Sequence, residues 1–188
     1  MRGSSLGDAI GIGWFLREVD GVRAAGHGGS ANGQFADLLL VPERGFAVVA
    51  LCNEGPDGIP FNQEAIRWAL QDYLGITERA AEPLPFDEGR AREVAGRYEN
   101  EVMTFTIGIA GTGQQLGLTM EVRIKPEIRA AAQKEPPPDP APFNVGLLPR
   151  DEYIVTDGEY AGQRGFFSRD ESGAVTGVDL AGRLASRV

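Results

Sequence analysis

Two short apolar runs separated by a turn dominate the first part of the chain. Residues 35–41 (Phe-Ala-Asp-Leu-Leu-Leu-Val) and 46–53 (Phe-Ala-Val-Val-Ala-Leu-Cys-Asn) are almost continuously apolar and short. This pattern predicts two strands that are buried on both faces. The intervening Pro-Glu-Arg-Gly of residues 42–45 fits a hairpin loop built on a type I turn, with Gly45 at positive φ.

A glycine-rich stretch precedes these strands. Residues 26–30 read Gly-His-Gly-Gly-Ser, and His27 is the only histidine in the chain. Upstream of it, residues 10–19 and 22–28 are predicted as neighbouring strands joined by a turn at Gly21. Residues 30–34 form a Gly/Ser/Asn loop that leads into the first apolar strand.

The apolar period changes after the second run. From residue 61 to 74 apolar residues recur at helical spacing and polar residues fall on the opposite arc, which indicates an amphipathic helix capped by Gly75. The predicted apolar face consists of Phe61, Ala65, Ile66, Ala69, Leu70, Tyr73 and Leu74.

The second half of the chain has a different texture. Residues 78–93 are charged and contain prolines, which is typical of a linker. Short strand-like runs punctuated by Gly or Asp-Gly follow and favour an antiparallel sandwich or barrel; they cover residues 96–98, 103–110, 115–123, 145–148, 153–156, 164–169 and 175–180. The proline-rich residues 134–142 are predicted to form an exposed loop. The predicted organisation is therefore α+β: a sheet-and-helix segment over residues 1–77, a linker, and an all-β antiparallel barrel over residues 94–188.

Composition narrows the classes of partner. The chain has 188 residues, 42% of them hydrophobic, and a net charge of -9, which argues against nucleic acid and anionic membranes as partners. Its single cysteine, Cys52, excludes an internal disulfide, and with one histidine we expect no metal site and no cofactor. No signal peptide or membrane-spanning run is visible, so for the chain as given we expect a cytoplasmic location.

Four motifs carry a family resemblance. In order they are Gly-Ile-Gly-Trp-Phe at residues 11–15, His27-Gly28-Gly29, Leu-Leu-Leu-Val-Pro at 38–42 and Val-Val-Ala-Leu-Cys-Asn at 48–53. Together they resemble the C-terminal part of the serine β-lactamase and penicillin-binding-protein-like hydrolases, a family often periplasmic or secreted, and within it the class C β-lactamase and esterase branch. The resemblance implies that His27-Gly28-Gly29 is the family's third motif, on a sheet-edge strand beside the acyl group. It also implies that His27 meets the substrate carboxylate.

The end motifs of the second half resemble the small lipocalin-like barrel appended to these hydrolases. They are Gly-Arg-Tyr at residues 96–98 and the segment from Phe167 to Gly177. Such a barrel can enclose a small apolar ligand. Its candidate lining is aromatic, although the same residues suit an ordinary core: Phe105, Phe143, Tyr153, Phe166 and Phe167.

The family's nucleophile is missing from the chain. No serine is followed three residues later by lysine, and the one Tyr-x-Asn, Tyr98-Glu99-Asn100, lies after His27 rather than before it. A site made of Ser30, His27 and Asp37 has no precedent in the family. No catalytic set is therefore complete, and we expect the chain alone to be inactive as a serine acyltransferase.

The sequence leaves three functions possible, and three ways in which the second face of the sheet could be covered. The chain is the C-terminal portion of a hydrolase, a small-ligand-binding or regulatory module, or a structural protein that complements a separate catalytic half. One helix covers only one face of the sheet. Self-association, docking of the barrel or a missing N-terminal catalytic portion would cover the other, since each exposed Leu or Val forgoes roughly 1.5–3 kcal/mol.

Overall fold

The computed structural model describes residues 7–31, 33–53, 58–79, 81–112, 116–133, 138–158 and 160–188. The chain divides into two compact units, Met1–Ala80 and Ala81–Val188. The first contains an antiparallel sheet with one helix, and the second contains a closed antiparallel barrel with short helices. This arrangement is consistent with the predicted α+β class. Every helix within the described residues is too short or too polar to cross a membrane.

The described part of the first unit contains five strands paired in chain order. Each is antiparallel to its neighbour, and the strands precede a single helix, α1 (Gly58–Leu74). The strands are β1 (Ala9–Ile10), β2 (Phe15–Val19), β3 (Val22–Ala31), β4 (Gln34–Val41) and β5 (Phe46–Cys52). The predicted strand over residues 10–19 is divided, because residues 11–14 turn the chain and Gly11 N–H donates to the Trp14 carbonyl oxygen at 2.8 Å.

The β4–β5 hairpin follows the prediction. Pro42–Arg44 form a 3-10 turn, and Gly45 closes it at a φ of 59° with its N–H bonded to the Pro42 carbonyl. A left-handed conformation at this position favours glycine because a Cβ atom would crowd the backbone. The local sequence therefore fixes the register of the hairpin.

Helix α1 covers one face of the sheet. Ile66 and Leu70 are buried against Leu39, Val41 and Ala50. The predicted apolar face of the helix is too wide, because Phe61 and Tyr73 are 62% and 65% exposed.

Strand β5 corrects a second expectation. Val48 and Ala50 face the core with the helix, whereas Val49 and Leu51 are 58% and 71% exposed. Side chains alternate between the two faces of a strand. The prediction of strands buried on both faces is therefore wrong for β5.

The second unit begins with a helix that was not predicted from the sequence. Residues 78–93, expected as a linker, include most of α2 (Glu88–Val94). Asp87 caps this helix by accepting a hydrogen bond from the Arg90 N–H at 2.8 Å. Ala91 and Val94 of α2 belong to the core of the second unit.

The barrel is an up-and-down meander in which the last strand returns to the first. Within the described residues eight strands close it. They are β6 (Gly96–Glu99), β7 (Met103–Ala110), β8 (Gly117–Ile124), β9 (Phe143–Leu147), β10 (Glu152–Val155), β11 (Arg164–Arg169), β12 (Val175–Leu180) and β13 (Arg183–Arg187). A short helix, α3 (Pro126–Ala131), follows β8. Neither α3 nor β13 was predicted from the sequence. The predictions for residues 115 and 134–137 concern positions outside the described residues.

The interior of the barrel is filled by large side chains. Tyr98, Phe105, Phe143, Tyr153 and Phe167 are each at most 2% exposed. Four of them are among the aromatic residues considered as a ligand lining, and all four belong to the core of the barrel unit.

Hydrogen bonds from Arg187 stabilise the chain next to the β13–β6 pair, which closes the barrel. Arg187 donates from its guanidinium to the Glu93 and Ala95 carbonyl oxygens, both at 2.6 Å. The same guanidinium lies 5.6 Å from the centre of the Tyr98 ring, a distance typical of a cation–π contact.

Candidate functional site

Strand β3 has an open edge that begins at His27. Strand β2 starts at Phe15, which lies opposite Gly26, whereas β3 continues to Ala31. Over residues 27–31, β3 therefore pairs with β4 and with no other described strand. Unpaired main-chain groups at an edge can bind an extended segment by adding a strand.

His27 stands at the start of this edge. It lies opposite Leu38, its side chain is exposed, and its ring stacks on Phe15 with 5.2 Å between ring centres. Imidazole N–H groups donate hydrogen bonds and, when protonated, also carry charge. His27 is thus able to donate to a carboxylate or carbonyl laid along the edge.

The two glycines after His27 differ in what surrounds them. A Cβ atom at position 28 would lie 2.8 Å from the Asp37 Oδ1 atom, whereas one at position 29 would meet nothing within 4 Å. Packing inside the sheet therefore accounts for Gly28. Within the described structure, nothing around Gly29 requires a glycine.

Two polar residues that were not predicted as site residues, Asn62 and Asp37, lie behind the edge. Asn62 of α1 is fully buried and donates to the Ala50 carbonyl at 3.3 Å. Burial raises the pKa of the Asp37 carboxyl, and a hydrogen bond with the Asn62 side chain partly offsets this rise. A lone Asn beside the apolar stripe of α1 was the available sequence signal. We interpret both residues as support for β3 and β4.

The alternative Ser-His-Asp site is not assembled. Ser30 lies opposite Phe35, and Asp37 lies opposite Gly28. Since neighbouring residues of a strand point to opposite faces, His27 is on the other face from Ser30 and Asp37.

The side chains of Tyr98 and Asn100 in the Tyr98-Glu99-Asn100 motif form hydrogen bonds within the barrel unit. The fully buried Tyr98 hydroxyl donates to the Val94 carbonyl at 2.6 Å. Asn100 Oδ1 accepts the backbone N–H groups of Val102 and Met103, at 2.9 and 2.8 Å, and shapes the β6–β7 turn.

The face of the sheet that carries His27 is apolar. Residues directly opposite one another share a face, which places His27, Leu38 and Val49 in one row and Gly29, Ala36 and Leu51 in the next. Val49 and Leu51 remain more than half exposed. This apolar face adjoins the open edge of β3.

Comparisons with known proteins bear on this geometry. No family model matches the chain. The chain is 36% identical over 103 residues to penicillin-binding protein 4 of Amycolatopsis lactamdurans, a match that covers 52% of this chain and 26% of that protein. The identity supports a penicillin-binding-protein-like relationship.

Two solved structures share the fold along the whole chain. The crystal structure of SurE with D-Leu and the crystal structure of SurE give TM-scores of 0.60 and 0.57, at 19% and 20% identity. Each comparison covers 100% of this chain and 40% or 38% of the SurE chain. The chain thus corresponds to well under half the length of these proteins and of the curated relative.

Proposed function

We propose that this chain supplies the substrate-binding edge of a β-lactamase-like serine hydrolase, with His27-Gly28-Gly29 as its third motif. The observation that carries the proposal is the open edge of β3, which begins at His27. The penicillin-binding-protein-like relationship supports the same assignment. We assign the sheet unit to the class C and esterase branch, and the eight-stranded meander to a lipocalin-like barrel.

The proposed mode of binding follows from the edge. An extended acyl or peptide segment pairs with the free main-chain groups of residues 27–31, and His27 donates to its carboxylate. A Cβ atom at Gly29 would meet nothing within 4 Å, so the face of the sheet next to the paired segment is free at this position.

The chain as given does not acylate its ligand in this proposal. It contains no serine followed three residues later by lysine, and a nucleophile needs an adjacent base. A segment that carries Ser-x-x-Lys covers the apolar face beside the edge. The exposure of Val49 and Leu51 supports this cover.

The only histidine of the chain gives a direct test of binding. In untagged protein the His27 imidazole yields one set of ring proton NMR signals. We expect these signals to move in a saturable way on titration with benzylpenicillin or an acylated dipeptide, and to move less with the dipeptide amide, which lacks the carboxylate. No shift at millimolar ligand would contradict the proposed edge.

Two neighbouring variants make a matched pair. Gly29→Val should reduce the shift with little loss of stability, because its side chain would stand on the sheet face beside the paired segment, where a Cβ atom meets nothing within 4 Å. Gly28→Ala should instead lower the melting temperature, because its methyl group meets the Asp37 carboxylate. Intact mass spectrometry after incubation with penicillin should show no covalent adduct, and an adduct would overturn the inactive assignment.

A structural role for the whole chain is the second candidate. The apolar face favours it, whether a separate catalytic half or a second copy of the chain is the cover. Co-purification with a Ser-x-x-Lys-bearing segment favours the catalytic half, and a concentration-dependent dimer favours the second copy.

A further inference from the structure

A cavity of about 310 Å³ lies at one end of the barrel, away from its filled interior. Its lining comes from the start of β7, the end of β8, the loop before β9, the loop between β10 and β11, and the β12–β13 turn. In an up-and-down meander these connections fall at the same end. The cavity is therefore the mouth of the barrel, a common place for ligand sites in this architecture.

The cavity wall is mainly apolar. Met103, Phe105, Val122 and Leu180 line it, and the last three also belong to the barrel core. Its volume is at the lower end of the roughly 300–1,000 Å³ typical of ligand pockets. It suits a ligand with one ring or a short branched chain.

One buried acceptor in the wall lacks a donor. Gln163 Oε1 is buried and has no hydrogen-bond partner within the described residues. The backbone of Gln163 is held by bonds from its N–H to the Tyr160 carbonyl and to its carbonyl from the Val155 N–H, at 2.9 and 2.8 Å. A buried acceptor without a donor is unfavourable, and a ligand N–H would pair it.

The charges at the mouth are unequal. Asp139 accepts hydrogen bonds from the Ile124 N–H at 3.0 Å and from Arg129, which together hold the pKa of its carboxyl below the usual value. Its charge is matched by Arg129. Arg183 also lines the cavity, and no ion pair engages it within the described structure. The mouth therefore offers an unmatched guanidinium, which favours a carboxylate.

We infer that the barrel mouth binds a small hydrophobic carboxylate with an adjacent N–H, the chemistry of an N-acylated hydrophobic amino acid. The apolar side chain contacts Phe105 and Leu180, the N–H donates to Gln163, and the carboxylate meets Arg183. This site is separate from the β3 edge, so either site can fail without the other.

Calorimetric titration of the full chain with N-acetylphenylalanine tests the site. We expect a dissociation constant on the order of 1 mM or tighter, given the size of the ligand. Gln163→Leu should weaken binding on the order of tenfold, because the N–H loses its acceptor. Arg183→Gln should weaken it about three- to fivefold, because the lost ion pair is partly exposed. Arg92→Gln, on the exposed surface of α2, is the matched control and should bind like the wild type.

Ligand analogues separate the two polar contacts. N-acetylphenylalanine amide should bind the wild type as weakly as the acid binds Arg183→Gln, and 2-acetoxy-3-phenylpropanoate should reproduce the loss in Gln163→Leu. Thermal unfolding establishes that each variant is folded. Absence of binding to the wild type, or equal binding by wild type, Gln163→Leu and Arg183→Gln, would overturn the assignment.

Discussion

The two units of the chain differ in how completely their strands are paired and covered. In the barrel every strand has two neighbours, and Val178 of β12 is fully buried. In the sheet unit part of β3 has only one neighbour among the described strands, and Val49 of β5 is 58% exposed. The same residue type in the same kind of strand is core in one unit and surface in the other.

This contrast separates a unit whose strands are all paired from one whose described strands leave an edge and an apolar face uncovered. Closure removes the edges on which strands of different chains pair. The sheet keeps an edge and an apolar face on the side that carries His27. Exposed apolar area of this kind is typical of interaction surfaces, and it supports the proposed cover.

The largest expected effect comes from comparing one core side chain of the barrel with one side chain on the apolar face of the sheet. Phe167→Ala should lower the free energy of unfolding of the barrel by about 3–5 kcal/mol, because Phe167 is fully buried. Leu51→Ala, at a side chain that is 71% exposed, should change stability by less than about 0.5 kcal/mol.

Amide hydrogen exchange in β11 and β5 reads the two units separately, since each strand belongs to one unit. Near-equal effects of the two substitutions would break the contrast.

A second test uses the acid that the barrel unit buries. Asp179 is 3% exposed, and burial raises the pKa of its carboxyl, with partial compensation from the Gly182 N–H. The folded state therefore binds the proton more tightly than the unfolded chain. The free energy of unfolding therefore falls as the pH rises from about 3.9, the pKa of aspartate in the unfolded chain, to the higher pKa of Asp179 in the folded state. Above the folded pKa the loss stays constant.

Asp179→Asn should accordingly stabilise the protein at pH 7, with a gain that shrinks as pH falls toward 4. Urea unfolding at several pH values measures this dependence. Glu171→Gln, at an exposed position, serves as the control. A variant less stable than wild type at pH 7 would show that the carboxylate has a favourable partner.

The smallest expected effect on stability comes from a substitution on the apolar face of the sheet, and it tests what covers that face. Leu51→Ser should change the unfolding free energy by less than about 0.5 kcal/mol, because the side chain is already in water. If a second copy covers this face, the substitution should reduce the association seen by light scattering. Thr176→Ala, on the exposed side of β12, should leave association unchanged.

Local signals predicted much of this architecture. The Pro-Glu-Arg-Gly hairpin, the meander of the sheet and most barrel strands follow from apolar runs and turn residues. Strand β13 was missed because Arg183, Leu184, Ser186 and Arg187 are exposed and only Ala185 is buried. Its requirement comes from barrel closure, which no local window contains.

The candidate site divides in the same way. Apolar patterning placed His27 on a strand, and the family resemblance implied a sheet edge. That the open part of the edge begins at His27 could not be read from the sequence, because it depends on where β2 begins. Likewise, an apolar sequence at β5 cannot show which face has a cover. A ligand cavity in the barrel was expected, and Phe105 of the expected lining borders the one at the mouth. Its polar groups were not predicted, since Gln163 precedes β11 and Arg183 begins β13.

The pairing of β13 with β6, next to Arg187, determines when the barrel can close during synthesis. Strand β13 pairs with β6, the first strand of the barrel to leave the ribosome, and β13 is the last. The early strands must wait with an unpaired flank until nearly the whole domain has been translated. Such distant pairing slows folding, so closure of this seam should be the step at which nascent chains most need protection from aggregation.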